Sequence, residues 1–252
     1  MLYQPVRDSL CGVFLVTCLS ACGSEGDTPL PPSPTLSTAS AEGLWNGTTD
    51  TGRTIAGLVL DDGVYWVLYS AVGNPSTVAG LIQGDSSSKD GVFSSTNAKD
   101  VSLETGILDA TINGNYTANQ SLDGTIAYQA GGQSTFTTTY DSDYDLPPDV
   151  NAVAGIYTGS VAVNETVNVT VTSAGGISGI SSTGCTFTGS FSPRTQGNAF
   201  DVTMTFGGQD ACFNGSDTVR GVGFYDAGTK RLYSAALNDI RTKGFVFLGM
   251  KP

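Results

Sequence analysis

Short runs of β-branched and aromatic residues, separated by Gly, Asn and Asp, recur along the chain from about residue 43 to its end. Runs of this kind are typical of β-strands, and the residues between them favour tight turns. Charged residues make up 13% of the 252 residues, whereas an ordinary globular chain has roughly 25%. Long amphipathic helices need a charged face, so this composition excludes them as the main element. The sequence therefore predicts an all-β fold.

The predicted strands fall into two sets of about eight, one on each side of Pro147-Pro148. Turn residues separate the strands at 61–63 (DDG), 73–75 (GNP), 122–124 (LDG) and 131–132 (GG) in the first set, and at 164, 174–175, 197–198 and 227–228 in the second. The fifth strand of the first set is predicted at 91–96. Because short turns join consecutive strands, each set predicts an antiparallel meander. Eight such strands can close into a barrel, and closure removes exposed edges.

An internal repeat supports this division. Residues 43–48 (GLWNGT) and 155–160 (GIYTGS) share the order Gly, aliphatic, aromatic, polar, Gly, hydroxyl. A spacing of 112 residues is too long for a solenoid and indicates two similar domains. We interpret Trp45 and Tyr157 as core aromatics near one end of each barrel. The predicted domains are a signal peptide at 1–21, a flexible tether at 22–41, a first barrel at 42–147 and a second barrel at 148–252.

Two strands of the second set indicate which faces are buried. Val167, Val169 and Val171 alternate with polar residues, which predicts that the valines point into the barrel. Residues 245–248 (FVFL) are apolar on both faces, so we expect the other domain to cover one face of this strand.

The N-terminal residues are typical of a signal peptide. Residues 9–21 follow Arg7, are apolar, and are too few to cross a bilayer core of about 30 Å as a permanent helix. The run ends at residues 19–22 (LSAC), which resemble the bacterial lipobox of an aliphatic residue, two small residues and Cys. The alternatives are an ordinary signal peptide with a chance Cys and a tail anchor.

The lipobox resemblance implies that peptide 1–21 is removed and that Cys22 is acylated, with palmitate among the acyl chains. In lipoproteins of this type the residue after the cysteine directs sorting, and Gly23 implies the outer membrane. Residues 22–41 are rich in Pro, Ser and Thr, which predicts a flexible tether. The expected location is the bacterial outer membrane, with the protein anchored to it by lipid and facing the cell surface or the periplasm.

The five cysteines predict one disulfide. Cys11 and Cys18 leave with the signal peptide, and Cys22 is used for the lipid. Cys185 and Cys212 remain as an even pair in an oxidising compartment. Their spacing excludes a CxxC redox pair, and a zinc site of two cysteines without His is not expected.

Catalytic and cofactor motifs are missing from the sequence. The chain has no His, which excludes Ser-His-Asp triads and histidine-ligated metals. It has no phosphate loop or dinucleotide fingerprint, and a pI near 4.1 argues against nucleic-acid binding. Asp141, Asp143 and Asp145 have the spacing with which calcium loops begin, but Leu146 replaces the Gly of such loops. We predict no enzyme activity, no catalytic residue and no cofactor, and we interpret 141–145 as an acidic linker, with calcium binding as the alternative.

Charge is distributed unevenly between the two halves. Residues 22–149 contain three Lys and Arg against 16 Asp and Glu, whereas residues 150–252 contain seven against six. One interpretation is an acidic domain for a basic partner, together with a basic edge at 220–251 for an anionic one. The other is that the acidic residues keep the domain soluble and that the basic residues are scattered.

The order of lipobox, tether and Gly-rich eight-stranded barrels resembles the surface lipoproteins of Gram-negative bacteria, including the transferrin-binding-protein-B and factor-H-binding types. Their barrels share short sequence segments such as 90–93 (DGVF) and 122–126 (LDGTI), in which a glycine turn leads into a strand. Residues 43–45 (GLW) also match the Gly-x-Trp of lipocalin first strands. The resemblance implies a non-enzymatic lipoprotein that binds a protein partner or a small ligand at the cell envelope, and it identifies no binding residue. A structural or envelope-maintenance lipoprotein of the periplasm and an inhibitor of a secreted hydrolase are the alternatives.

Overall fold

The computed structural model describes residues 39–162 and 165–252, which form two antiparallel sheets. The strands of the first sheet are β1 (Gly43–Thr49), β2 (Thr54–Val59), β3 (Val64–Ala71), β4 (Asn74–Asp85), β5 (Ser87–Lys89), β6 (Val92–Ser102), β7 (Gly106–Thr117), β8 (Ser121–Tyr128) and β9 (Gln133–Asp141). Those of the second are β10 (Gly155–Ala162), β11 (Glu165–Val171), β12 (Gly176–Ser181), β13 (Thr186–Pro193), β14 (Phe200–Phe206), β15 (Thr218–Asp226), β16 (Arg231–Leu237) and β17 (Gly244–Met250). Between the sheets lie a 3₁₀ turn (Ser142–Asp145) and a one-turn helix, α1 (Val150–Val153).

Both sheets close into rings. In the first, β1 to β4 and β6 to β9 pair in order, and β1 pairs with β9. The ring closes at β6, which pairs with β4 towards one end and with β5 towards the other, on either side of a break at Ser86. In the second sheet, β10 to β17 pair in order and β10 pairs with β17. These pairings confirm the predicted all-β fold of two antiparallel meanders, each barrel-like with about eight strands.

One of the predicted turns is wrong. Residues 122–124 lie inside β8, where a Cβ on Gly124 would come within 2.9 Å of the Phe136 ring. The glycine therefore permits close packing inside a strand, and the chain reverses instead near Asn119, whose φ is 56°. Residues 90–93 (DGVF), the other segment shared with surface lipoproteins, do contain the predicted turn. Gly91 in this turn has a φ of 81°.

The observed strand bounds differ most from the predicted ones in the region from β4 to β6. β4 begins at Asn74, so the reversal predicted at 73–75 is confined to residues before that position. β5 is absent from the predicted strands, and β6 continues to Ser102 instead of ending at 96. The turn predicted at residue 164 lies outside the described residues.

The aromatic residue of the repeated motif bonds to the segment that precedes the first strand of each barrel. The Trp45 indole N–H donates to the Ala41 carbonyl at 2.9 Å, and the Tyr157 hydroxyl donates to the Val153 carbonyl. Both aromatic side chains are buried, as core aromatics are expected to be. The glycines that begin the two motifs both have a φ of 152°, a conformation that L side chains rarely adopt. The repeat seen in the sequence is therefore also a repeat of structure.

Each barrel has a core of its own. Val167, Val169 and Val171 are buried in the second barrel, which confirms the predicted inward row. In the first barrel the rings of Tyr65 and Phe93 meet edge to face, with centroids 5.6 Å apart. The inward faces of both rings of strands are therefore apolar.

A third apolar cluster joins the two barrels. Trp66 and Leu81 of the first barrel pack in one cluster with Phe224 and Val246 of the second, and all four side chains are buried. Phe247, the next residue of β17, lies in the core inside the second barrel. The first barrel thus covers the outer face of β17, as the two-sided apolar pattern of this strand predicts.

Two arginines of the second barrel hold the edges of this interface. Arg194 donates to Asp61 at 2.7 Å and to Asp62 at 3.3 Å, in the turn between β2 and β3. Arg241 donates to the backbone carbonyl of Asn97 at 2.8 Å. Part of the positive charge of the second half is therefore matched by groups of the first half.

Candidate functional site

The first barrel encloses a cavity of about 460 Å³. The cavity reaches from Trp45 to the turns that join β1 to β2, β3 to β4 and β6 to β7. Val72 lines the cavity and is 59% exposed, which places the mouth at the end opposite Trp45. The apolar part of the wall includes Ile55, Val59, Ile82, Phe93, Ile112 and Phe136.

A buried carboxylate interrupts this apolar wall. Asp100, on β6, lines the cavity and is 4% exposed. Its oxygens accept hydrogen bonds from the Tyr69 hydroxyl at 2.6 Å and from the Tyr128 hydroxyl at 3.0 Å. Both tyrosines line the same cavity, one from β3 and one from β8. Closure of the ring therefore brings three strands together around one polar group.

Arg53 lies beside this cluster near the mouth. Its guanidinium carbon lies 5.2 Å from the centroid of the Tyr69 ring. The guanidinium donates to the Ser70 carbonyl at 2.9 Å and pairs with the Glu104 carboxylate at 2.7 Å. Arg53 is thus held by a ring, a carbonyl and a carboxylate at once.

Burial sets the electrostatics of the cluster. It raises the pKa of the Asp100 carboxyl, although the hydroxyls of Tyr69 and Tyr128 and the charge of Arg53 act in the opposite direction. Burial, followed by the Asp100 charge, raises the pKa of both tyrosine hydroxyls. The tyrosines therefore stay protonated near neutral pH and act as hydrogen-bond donors.

A second cavity, of about 470 Å³, lies in the second barrel and extends to the surface of the first. Its interior wall includes Phe187, Phe191, Met204, Phe206 and Phe247. Among the described residues of the wall, Glu165 and Lys243 carry charge. Leu103 and Ile107, around the turn between β6 and β7, also border this cavity, so the first barrel forms part of its wall.

The predicted disulfide lies beside the second cavity. Cys185 and Cys212 are bonded, with their Cα atoms 4.8 Å apart. The bond joins the residue before β13 to the long loop between β14 and β15. Phe213, in that loop, lines the cavity and is 80% exposed. The disulfide therefore ties the loop at the cavity mouth to the barrel.

Two of the three aspartates considered for calcium, Asp141 and Asp145, have side-chain hydrogen bonds of their own. Asp141 accepts from the Asn46 side chain at 2.8 Å and from the Asp143 backbone N–H at 3.0 Å. Asp145 accepts from the Tyr140 hydroxyl at 2.7 Å. In the part of the chain that the structure describes, no three acidic or cysteine side chains are grouped so that they could hold a metal ion. The segment forms the 3₁₀ turn between the two barrels.

Cys22, the predicted signal peptide and the predicted tether up to residue 38 lie outside the described residues. The last residues assigned to the tether pack against the first barrel. Ala41 is fully buried, and the Ala39 carbonyl accepts a hydrogen bond from the Tyr116 hydroxyl at 2.9 Å.

The basic residues between 220 and 251 are divided among different surroundings. Arg241 contacts the first barrel. Lys243 pairs with Asp217 at 3.4 Å. Lys251 lies 4.7 Å from the centroid of the Tyr225 ring, and desolvation lowers its pKa. This distribution favours scattered charge over a single basic edge.

The cluster around Asp100 is not among the predicted sites. The strand predicted at 91–96 ends before this residue, so Asp100 is placed in a loop. The signal in the sequence is the alternation of Ala98 and Asp100, both of which are buried in β6. A carboxylate two residues from a buried alanine in the same strand lies on the same face, which indicates a polar group inside the barrel.

Within the described residues, no helix combines the length and the hydropathy needed to span a membrane.

Comparisons with known proteins give structural matches alone. No protein-family model matches the chain, and no curated protein matches it. One similar solved structure is a mutant of the vaccine antigen Transferrin Binding Protein B from Haemophilus parasuis, at 9% identity and a TM-score of 0.26, covering 78% of this chain and 65% of that one. Another is the isotype 1 Transferrin Binding Protein B of serogroup B Neisseria meningitidis, at 10% identity and a TM-score of 0.24, covering 79% of this chain and 58% of that one. The chain spans less than two thirds of either structure, and scores this low carry no ligand or site across to it.

Proposed function

We propose that this chain is a non-enzymatic binding protein whose two barrels each take up a small apolar molecule. The observation that carries the proposal is the pair of cavities, one of about 460 Å³ inside the first ring of strands and one of about 470 Å³ that fills the second ring and extends to the first barrel. An eight-stranded barrel is wide enough to hold one small ligand, and ligand cavities are commonly about 300–1,000 Å³. Burial of apolar ligand surface contributes roughly 25 cal/mol per Å², so few polar contacts are needed.

The chemistry of the cavity walls supports binding over catalysis. The chain has no His to act as a general base. Asp100 accepts from two tyrosine hydroxyls whose raised pKa values keep them protonated near neutral pH. Neither hydroxyl is therefore activated as a nucleophile or a base.

The proposal places the protein at the bacterial outer membrane, with Cys22 carrying the lipid and the tether leading to the first barrel. The disulfide between Cys185 and Cys212 supports export, because disulfides persist in oxidising compartments. We expect Cys22→Ser to abolish incorporation of labelled palmitate, and labelling that persists would contradict the anchor. Protease treatment of intact cells distinguishes a surface-facing protein from a periplasmic one.

Photoaffinity labelling of the full-length protein tests ligand uptake. The probe is decanol that carries a diazirine, and peptide mass spectrometry locates the labelled residues. We expect saturable labelling of the strands that line both cavities.

Cavity-filling variants give matched controls. Gly57 lines the first cavity, and the nearest atom to a Cβ placed on it is 3.5 Å away, so Gly57→Leu fills space without a clash at Cβ. We expect this variant to lose labelling in the first barrel and keep it in the second. Val169→Phe, in the wall of the second cavity, should have the reciprocal effect. Labelling that is confined to outer surfaces, or that neither variant changes, would contradict the proposal.

A second candidate function is recognition of a partner protein, which two exposed apolar side chains of the second barrel favour. Phe213 is 80% exposed, in the loop between β14 and β15, and Ile240 is 73% exposed, in the loop between β16 and β17. The Asn214 side chain donates to the Gly244 carbonyl at 3.1 Å, so the two loops adjoin. Large apolar side chains exposed on neighbouring loops mark contact surfaces. We expect the double variant Phe213→Ser/Ile240→Ser to lose any envelope or host protein that the wild type captures, while decanol labelling persists. A wild type that captures no protein would contradict this candidate.

A further inference from the structure

The two cavities differ in how deeply their carboxylates are buried. Asp100 lines the first cavity and is 4% exposed, with Arg53 beside it. In the second, Glu165 and Lys243 are both partly exposed, so among the described residues no fully buried carboxylate lines that cavity. The polar group that a ligand can carry therefore differs between the two barrels.

Asp100 has acceptor capacity to spare. A carboxylate offers about four acceptor sites. The hydroxyls of Tyr69 and Tyr128 occupy one site on each oxygen, at 2.6 and 3.0 Å. Because Asp100 lines the cavity, a hydrogen-bond donor inside it can form further bonds to the same carboxylate.

Arg53 is already neutralised by another carboxylate. It pairs with Glu104 at 2.7 Å, and it also donates to the Ser70 carbonyl. Arg53 also acts on Asp100 through its charge, so two carboxylates, those of Asp100 and Glu104, face one guanidinium. A ligand cation complements this arrangement, whereas a ligand anion is repelled.

Aromatic rings add attraction for a cation. Tyr69 and Tyr128 flank Asp100 in the cavity wall, and Tyr65 and Trp45 line the same cavity. The face of an aromatic ring attracts an ammonium group within about 6 Å. The remaining apolar wall is left for the alkyl part of a ligand.

We propose that the first barrel selects apolar molecules that end in a protonated amine, with the ammonium group bound to Asp100 between Tyr69 and Tyr128 and the apolar chain directed towards Trp45. This inference rests on the proposed function, because it names the ligand class of the first cavity. The second barrel has no such preference.

Three diazirine probes of equal chain length separate the head groups: decylamine, decanol and decanoic acid. All three are applied to the full-length protein in one detergent. We expect the amine to label the first barrel at an about tenfold lower half-saturating concentration than decanol, because charge-assisted hydrogen bonds are stronger than neutral ones. The acid should label it least. The second barrel of the same molecule should label similarly with all three, which makes it an internal control that needs no variant.

Two carboxylate variants test the role of Asp100. Asp100→Asn should remove the about tenfold advantage that the amine has over decanol, with both probes compared on the same variant. Asp109→Asn is the matched control, because Asp109 is 52% exposed and pairs with Lys99 outside the cavity. Loss of that preference in Asp109→Asn would show that net charge, rather than Asp100, produces it.

The outcomes separate this inference from the proposed function. Equal labelling of the first barrel by amine and acid would overturn the amine preference and leave ligand uptake standing, because decanol still reports the cavity. Failure of all three probes to label either barrel would overturn both.

Discussion

At the scale of single residues, the buried carboxyl of Asp100 links stability to pH. Burial raises its pKa above the ordinary value of 3.8, against the opposing effects of Tyr69, Tyr128 and Arg53. Between the ordinary and the raised value, the folded protein holds a proton at Asp100 that the unfolded chain has lost. Stability contributed by this group therefore rises as the pH falls through that window.

Asp100→Asn removes this titration. We expect the stability of the wild type, relative to that of the variant, to increase as the pH falls from 7 towards 4. Thermal unfolding followed by circular dichroism measures the difference, and Asp109→Asn is the control for loss of one carboxylate. A difference that is constant over this range, or that favours Asp100→Asn at acid pH, would contradict the assignment.

Trp45 and Asp100 differ in how far the sequence predicts their positions. Trp45 is predictable as a core residue, because it belongs to a motif that recurs in the second half. Asp100 is not, because the register of β6 against β7 shifts between Ser95 and Ala98. Phe93 and Ser95 are buried, so a regular strand would bury every second residue after them, including residue 99 but not Asp100. The register shift between Ser95 and Ala98 moves the buried positions by one residue, so that Asp100 is buried instead.

At the scale of elements, local turn chemistry is predictable and closure is not. The turn at 61–63 is found where Asp-Gly predicts it, because a positive φ at Gly63 suits this residue. Closure of the first ring depends on β4 and β5 pairing with β6 on either side of Ser86. No local pattern specifies that break. A glycine such as Gly124 reads as a turn in the sequence, yet in the structure it permits close packing across strands.

The disulfide is the crosslink between elements at the second mouth, with a sequence separation of 27 residues. We expect the double variant Cys185→Ala/Cys212→Ala to lower the free energy of unfolding by about 3–4 kcal/mol, because the unfolded chain loses a constraint. Denaturant unfolding with and without reducing agent measures this change. Reduction should bring the wild type to the level of the variant and leave the variant unchanged. A wild type whose free energy of unfolding does not change with the reducing agent would contradict the crosslink.

At the scale of the whole molecule, the two barrels meet through an apolar cluster that includes Trp66, Leu81 and Val246. We propose 42–147 and 148–252 as the two domains that this cluster joins. The uneven charge of the sequence has a partial explanation here, because Arg194 of the second half binds Asp61 of the first. Which charges meet depends on how two barrels dock, so no pattern within either half predicts it.

Arg194 gives a direct test of this docking. Its side chain is 15% exposed and contacts Asp61 and Asp62 across the interface. We expect Arg194→Ala to lower the free energy of unfolding by about 2 kcal/mol, because it removes a mostly buried side chain that pairs with Asp61, Asp62 and Asp201 at once. The control is Arg220→Ala, whose side chain is 65% exposed and which should change stability by less than about 0.5 kcal/mol. Equal losses in the two variants, measured by denaturant unfolding, would contradict a specific role for Arg194.

Ligand uptake inside the barrels is tested most directly by a crystal structure of the protein grown with a terminally brominated decanol and measured at the bromine absorption edge. The anomalous signal of bromine locates the alkyl chain without reference to any label on the protein. We predict bromine peaks inside the cavities, with the peak in the first barrel lying between Asp100 and Trp45. Peaks confined to the outer surface, or barrels whose own side chains leave no room for an alkyl chain, would contradict the proposed function.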